Sequence, residues 1–322
     1  MNEHDHTPPP IPSPSPNDWE RQLISALAQS ALVEQRRTRR WGIFFKCLTF
    51  AYLSIFLTMA LSKHWGSDST SSGLHTALID IQGEVGSDPQ ASADAVVSGL
   101  RAAFKDSNTK GVILRINSPG GSAVHAGYIA DEVFRLRSAH PAIPIYAVIT
   151  DMCASGGYYI AVAANAIYAD KASLVGSIGV AMNGFGFVGT LERLGVERRL
   201  VTAGAHKGFL DPFSPLNPQD LDHLKGVLGQ VHRQFVDVVK KGRGDRLKEQ
   251  PELFSGLIWS GEQGVALGLV DALGSSSYVA REVIKAETIV DFTQKQDYLD
   301  RFVERFSTTA AKALVGGIPA IR

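Results

Sequence analysis

The chain has 322 residues, 44% apolar and 20% charged, with 32 Lys+Arg balanced by 32 Asp+Glu. That is a globular composition able to support a sizeable core, and its zero formal charge, without any aromatic–basic array, argues against a nucleic-acid partner. The two cysteines, Cys47 and Cys153, lie too far apart in context for a disulfide framework, and the absence of CxxC or HExxH spacing argues against a metal site or other cofactor.

Residues 1–40 form a leader. Its first part is polar and proline-rich (Pro8, Pro9, Pro10, Pro12, Pro14, Pro16), a composition expected to be disordered or polyproline-like. Over 19–37 the apolar residues Trp19, Leu23, Leu27 and Leu32 fall at helical spacing, which predicts a short amphipathic helix. Arg36, Arg37, Arg39 and Arg40 then precede a mostly apolar run starting at Trp41. About 20 such residues cross a bilayer as a helix, so 41–63 is predicted as a transmembrane anchor, with Lys46 reaching back to the headgroups. The arginine cluster predicts a cytoplasmic N-terminus, with everything beyond the anchor on the other side. A cleaved signal peptide fits poorly with 40 preceding residues, and a buried core helix fits poorly beside four arginines and the Ser/Gly/Thr-rich linker 64–75.

From 76 to 290 short β-like runs (77–81, 112–116, 145–149, 166–169, 198–201) alternate with helix-like ones (92–105, 124–138, 156–164, 218–241, 262–269). This alternation predicts an α/β domain with a mostly parallel sheet. The tail 291–322 spaces Tyr298, Phe302 and Phe306 four residues apart, which predicts an amphipathic helix whose stripe packs on the body or a neighbouring subunit, the membrane surface being the alternative.

Two glycine turns could carry chemistry. In Asn117-Ser-Pro-Gly-Gly121 a strand ends on two glycines before a helix, so backbone N–H groups can turn outward toward a ligand. In Ala154-Ser-Gly-Gly-Tyr158 a strand leads into Ser155 at the start of a helix, where the Gly156 amide and the helix dipole favour negative charge on a substrate oxygen. A simple helix N-cap is the plain alternative. A nucleophilic serine needs a base. His223 and His232 sit in an amphipathic helix, which leaves the neighbours His206 and Lys207; lysine serves where burial disfavours its ammonium form. The residues alone do not choose between them. The GxGxxG match at 184–189 follows a poor strand and is weak evidence for a dinucleotide.

Five blocks together resemble the S49 peptidase family, the signal peptide peptidase A group. They are Asn117-Ser-Pro-Gly-Gly121, Ala154-Ser-Gly-Gly-Tyr158, Val175-Gly-Ser-Ile-Gly-Val180, Gly204-Ala-His-Lys207, and the stretch from Trp259 through Gly268-Leu-Val-Asp271. The resemblance implies a Clp protease/crotonase-like spiral of ββα units over 76–290. It implies Ser155 as nucleophile, Lys207 as general base, Ser177 orienting the lysine, and the amides of Gly121 (or Gly120) and Gly156 as oxyanion donors. It also implies a bacterial inner-membrane serine peptidase that needs no cofactor, acts on signal peptides and other apolar peptides, and assembles as a homo-oligomer whose dyad residues can come from adjacent subunits. The competing readings are a crotonase-like acyl-CoA enzyme and an inactive membrane scaffold. The segment after Lys207 and the nearby Cys153 depart from the family pattern.

Overall fold

The computed structural model describes residues 16–65, 73–248 and 250–294, with side chains of 16–20, 22, 28–33 and 56–65 outside the description. It divides into two units at residues 70 and 71. In the first, helix α1 (Pro16–Trp65) is continuous. The separate amphipathic helix predicted over 19–37 is therefore not separate. No proline or cap interrupts the arginine cluster, and the Thr38 hydroxyl bonds back to the Glu34 carbonyl at 2.9 Å. The predicted anchor 41–63 lies within α1; among the described residues no helix is long and apolar enough to cross a membrane. The proline-rich start, residues 66–72 of the linker and the amphipathic tail from 295 lie outside the described residues.

The second unit is a mixed α/β fold. Strands β1 (His75–Gln82), β2 (Thr109–Ser118) and β3 (Ile145–Ala154) are linked by helices α2 (Ala93–Lys105) and α3 (Ala123–Ala139), and all pair in parallel. Alternation along a strand sends successive side chains to opposite faces. Ala77, Ile79, Ile81, Val112, Leu114 and Ile116 accordingly join the larger core under the helices. Leu78, Ile113 and Val148 face the other way, onto Val279, Ala280 and Ile284. Burial on both faces is what a parallel sheet covered on each side requires. Asp80 and Arg115, on the second face, sit opposite each other in the β1–β2 register and form an ion pair.

β3 is the strand that organises the site. Its first half pairs with β4 (Ala166–Ala169), and its last residues, Met152–Ala154, pair instead with β5 (Leu174–Gly176). Between them β3 bulges: Ile116 pairs with Ile149, yet Ser118 pairs with Cys153. The extra residues bend the strand, as bulges beside functional sites do. The Asn117 side chain bridges the irregularity, accepting the Met152 amide at 3.3 Å and donating to Asp151 at 2.9 Å. β6 (Ile258–Ser260) closes this edge antiparallel to β5, while β7 (Ala272–Leu273) and β8 (Ile289–Asp291) pair with β4 and β1.

Helix α4 (Gly156–Ala161) follows β3 directly, and the long helix α6 (Pro218–Arg243) packs over it. Between β5 and α6 lie residues 177–217, whose one regular element is α5 (Val188–Arg193). The strand predicted at 198–201 does not form. Its residues pair with no sheet, and Val201 is 94% exposed, so an apolar run here lacks the partner that makes a strand. The far end of α6 is fixed by the buried Arg243, which donates to Asp271 at 2.8 and 3.0 Å. Burial would raise the Asp271 carboxyl; Arg243, the Ile167 amide and Arg246 together offset it and hold the carboxyl below the usual range.

Candidate active site

Ser155 sits at the β3–α4 junction with φ 49° and ψ −119°. This is a sparsely populated conformation for a residue with a Cβ, of the strained kind found at functional sites. Its side chain makes no capping bond to α4, so the helix-cap explanation is removed. Its own amide donates to the Gly176 carbonyl at 2.9 Å, and its carbonyl accepts from Tyr159 at 2.9 Å. The backbone is thus pinned on both sides while the hydroxyl is left unused, as in a nucleophile elbow.

The Ser118–Gly121 turn packs against this serine. Gly120 has φ 115° and Gly121 φ 136°, and a Cβ on Gly120 would stand 2.7 Å from Ser155 Cβ. A Cβ on Gly121 would meet the Val85 carbonyl at 2.4 Å. Both glycines are therefore required by space as well as by backbone angle. The amide of Gly120 is committed to Ser118 Oγ at 3.2 Å. No hydrogen bond engages the Gly121 or Gly156 amides among the described residues. The Gly121 nitrogen lies 3.4 Å from where a Gly156 Cβ would be, so these two amides flank one small space.

That space opens into a cavity of about 140 Å³ lined by Gly121, Ser155 and Gly156 together with Tyr159, Val231 and Phe235. The Tyr159 and Phe235 rings are 5.1 Å apart. The α6 wall contributed by Val231 and Phe235 was not foreseen as part of the site. Its sequence signal, an amphipathic stripe, reads simply as core. Cys153 lies wholly buried behind the serine, and burial pushes its thiol far up, which removes it as a nucleophile. Both cysteines are free. No group of three His, Cys, Asp or Glu side chains gathers as metal ligands among the described residues.

Ser177 also has positive φ, 51°, and follows the Gly176 whose carbonyl holds Ser155; its amide donates to Leu257 at 2.8 Å. Lys207 is placed elsewhere. It is exposed, does not line the Ser155 cavity, and closes a turn with its amide on Gly204 at 3.2 Å. Its neighbour His206 approaches Asp220 at 2.6 Å through Nδ1. Asp220 lies in the first turn of α6, whereas Val231 of the same helix walls the cavity. At 1.5 Å per residue these positions are about 16 Å apart. The chain therefore gathers Ser155, Gly121 and Gly156, holds Ser177 next to the Gly176 that bonds Ser155, and leaves Lys207 off the cavity lining.

Comparison with known proteins bears on this geometry. The model of peptidase family S49 matches residues 137–289, from the end of α3 to the start of β8. A putative protease of Synechocystis is 30% identical over 207 residues, covering 64% of this chain and 72% of that protein. The chain belongs to peptidase family S49. A putative signal peptide peptidase SppA of Enterococcus faecium is 34% identical over 194 residues, 60% of this chain and 56% of that one. A Brucella melitensis biotype 1 protein named Na(+)/H(+) antiporter NhaA is 42% identical over 186 residues, 58% of this chain but 25% of that protein. The chain thus spans about a quarter of the Brucella relative and about half of the Enterococcus one. The S49 match contains Ser155, Gly156, Ser177 and Lys207, and the 117–121 turn lies ahead of it.

Proposed function

We propose that this S49 chain is a serine peptidase that cleaves apolar peptides, signal peptides among them, through an acyl-enzyme on Ser155. The observation that carries the reading is a strained serine with an unused hydroxyl that lines a small cavity together with two residues whose amides are unpartnered and with two aromatic rings. Ser155 Oγ attacks the peptide carbonyl as its proton passes to the neutral amine of Lys207. The oxyanion is held by the Gly121 and Gly156 amides. The tetrahedral intermediate collapses, and the leaving amine takes the proton from Lys207. Water, deprotonated by the same lysine, then attacks the acyl group, and the lysine returns that proton to Ser155 Oγ as the carboxylic acid leaves. Ser177 orients the amine. The cavity accepts the side chain before the scissile bond, and its size favours small ones.

Lys207 comes from an adjacent subunit in this proposal. Two observations support that. The turn holding it is tethered about 16 Å along α6 from the cavity wall. Met182, Phe185, Leu194, Val201 and Leu216, all in the largely irregular 177–217 segment, are exposed apolar side chains of the sort that mark an interface. A neighbouring copy would cover the lysine, and burial disfavours an ammonium. The arginine cluster and the apolar run 41–63 support a single-pass anchor in a bacterial inner membrane, with the peptidase on the extracytoplasmic side.

The 2.6 Å His206–Asp220 pair favours one second reading, in which His206, oriented by a carboxylate as in a Ser-His-Asp set, is the base. The test is hydrolysis of an apolar signal peptide by the full chain, with Ser155 labelling by a serine-reactive phosphonate. Loss of both in Ser155→Ala is expected, and cleavage surviving that change refutes the proposal. Activity lost in His206→Ala but kept in Lys207→Ala would move the base to His206.

A further inference from the structure

The turn that carries Lys207 is exposed through the lysine and belongs to no strand or helix. Its backbone bonds are local: Lys207 to Gly204 at 3.2 Å and Phe209 to His206 at 3.0 Å. Such bonds fix the shape of the turn but not its place on the fold. Two side-chain contacts reach out from it, both to α6. His206 Nδ1 meets Asp220 Oδ1 at 2.6 Å, and the Phe209 ring stands edge-on to His223 with centroids 6.2 Å apart.

The acceptor end of the first contact is the better fixed. The Asp220 side chain is 14% exposed against 64% for His206. It lies in the first turn of α6, where the helix dipole favours a carboxylate, and Asn217 caps the same turn. Further along, α6 is held by His232, whose Nε2 meets the Ile178 carbonyl at 3.2 Å, and by buried Phe235 and Arg243. A proton on His206 Nδ1 can donate to Asp220 whether the ring is neutral or charged, so the contact persists in both states.

We propose that His206 and Asp220 are a positioning pair that sets the Lys207 turn on α6 and so places the lysine amine for proton transfer. The inference rests on the reading of Lys207 as base. A lysine amine ends a long flexible side chain, and its location follows from where its backbone is held. A misplacement of about 1 Å at a catalytic group can cost on the order of 100-fold in rate. A single hydrogen bond from a largely exposed side chain contributes little to stability, so its removal should register in turnover rather than in unfolding temperature.

The experiment uses the full chain and an apolar peptide substrate. His206→Ala and Asp220→Ala are each expected to lower kcat about 10- to 100-fold with KM within about twofold. His206→Asn keeps a donor near the Nδ1 position and should recover most of the rate. The double variant should be no worse than the poorer single one, and neither change should lower the residual rate of Lys207→Ala. Thermal unfolding and the mass of the assembly should stay as in the parent. An inactive Lys207→Ala together with a His206→Ala kcat within twofold of the parent overturns the pair alone. So does a loss that adds fully to Lys207→Ala, or one accompanied by dissociation of the assembly. A Lys207→Ala protein with parental kcat overturns the base assignment and the pair with it.

Discussion

The Ser155 amide donates to the carbonyl of Gly176 at 2.9 Å, which joins the turn bearing one positive-φ serine to the residue preceding the other. The end of β3 and the end of β5 are thereby a single rigid piece, and Ser155 can be held at φ 49° because both sides of its peptide are fixed. Strain of this kind costs on the order of 1–3 kcal/mol and persists where surrounding contacts over-determine it.

Releasing that strain should stabilise the fold. Glycine occupies positive φ without the Cβ penalty, so Ser155→Gly is expected to raise stability by about 1 kcal/mol while reducing peptidase activity by several orders of magnitude. Denaturant unfolding and peptide hydrolysis of the same preparation check both halves. A destabilised Ser155→Gly would show that the turn is unstrained.

Gly120→Ala should act on turnover rather than affinity. The new methyl would lie 2.7 Å from Ser155 Cβ and 3.1 Å from the Gly156 nitrogen, so it must push the hydroxyl away from the amides. A loss on the order of 100-fold in kcat is expected, the scale seen when one oxyanion donor is removed. Steady-state kinetics read it, with intact β-sheet content as control.

Phe235→Leu should change which peptides are cut. Phe235 lines the cavity and is 5% exposed. A smaller wall admits a larger side chain, and one methylene in such a pocket is worth about 1–3 kcal/mol of discrimination. The ratio of kcat/KM for bulky over small residues before the cleaved bond should rise about 10-fold, measured with a paired peptide series.

Glu132 should give acid sensitivity to the α2–α3 layer. Arg135 and then Arg101 hold its carboxyl down to about 2 from 4.5. A lowered carboxylate adds stability above its unfolded value, and that stability is lost as pH falls toward the folded one. The gain is at most about 3 kcal/mol, and less because both arginines are exposed and screened. Glu132→Gln should therefore unfold more easily than the parent at pH 7, with the difference shrinking between pH 4.5 and about 2. Urea midpoints across that range check it.

Much of the fold was legible because its signals are local. The runs at 77–81 and 112–116 became the centres of β1 and β2, 145–149 became the first half of β3, and 166–169 became β4. The helices predicted over 92–105, 124–138 and 218–241 formed within a residue or two. The three-residue strands β5, β6 and β8 were missed, because three residues are too few to display an alternation. The strand expected at 198–201 had the right composition but no partner.

The sequence by itself determined that a serine stands at a strand-to-helix turn near a second glycine turn, because glycine requirements and apolar periodicity are properties of neighbouring residues. Only the tertiary structure decided that Ser155 is strained, that the Gly121 amide is unpartnered while Gly120 serves Ser118, and that α6 walls the cavity. It also decided that Lys207 stands outside that cavity, its turn tied by His206 to the other end of α6. These depend on pairings between distant segments, the β3 bulge bridged by Asn117 and the β3–β5 ladder, and a local pattern carries no record of which distant partner it will meet.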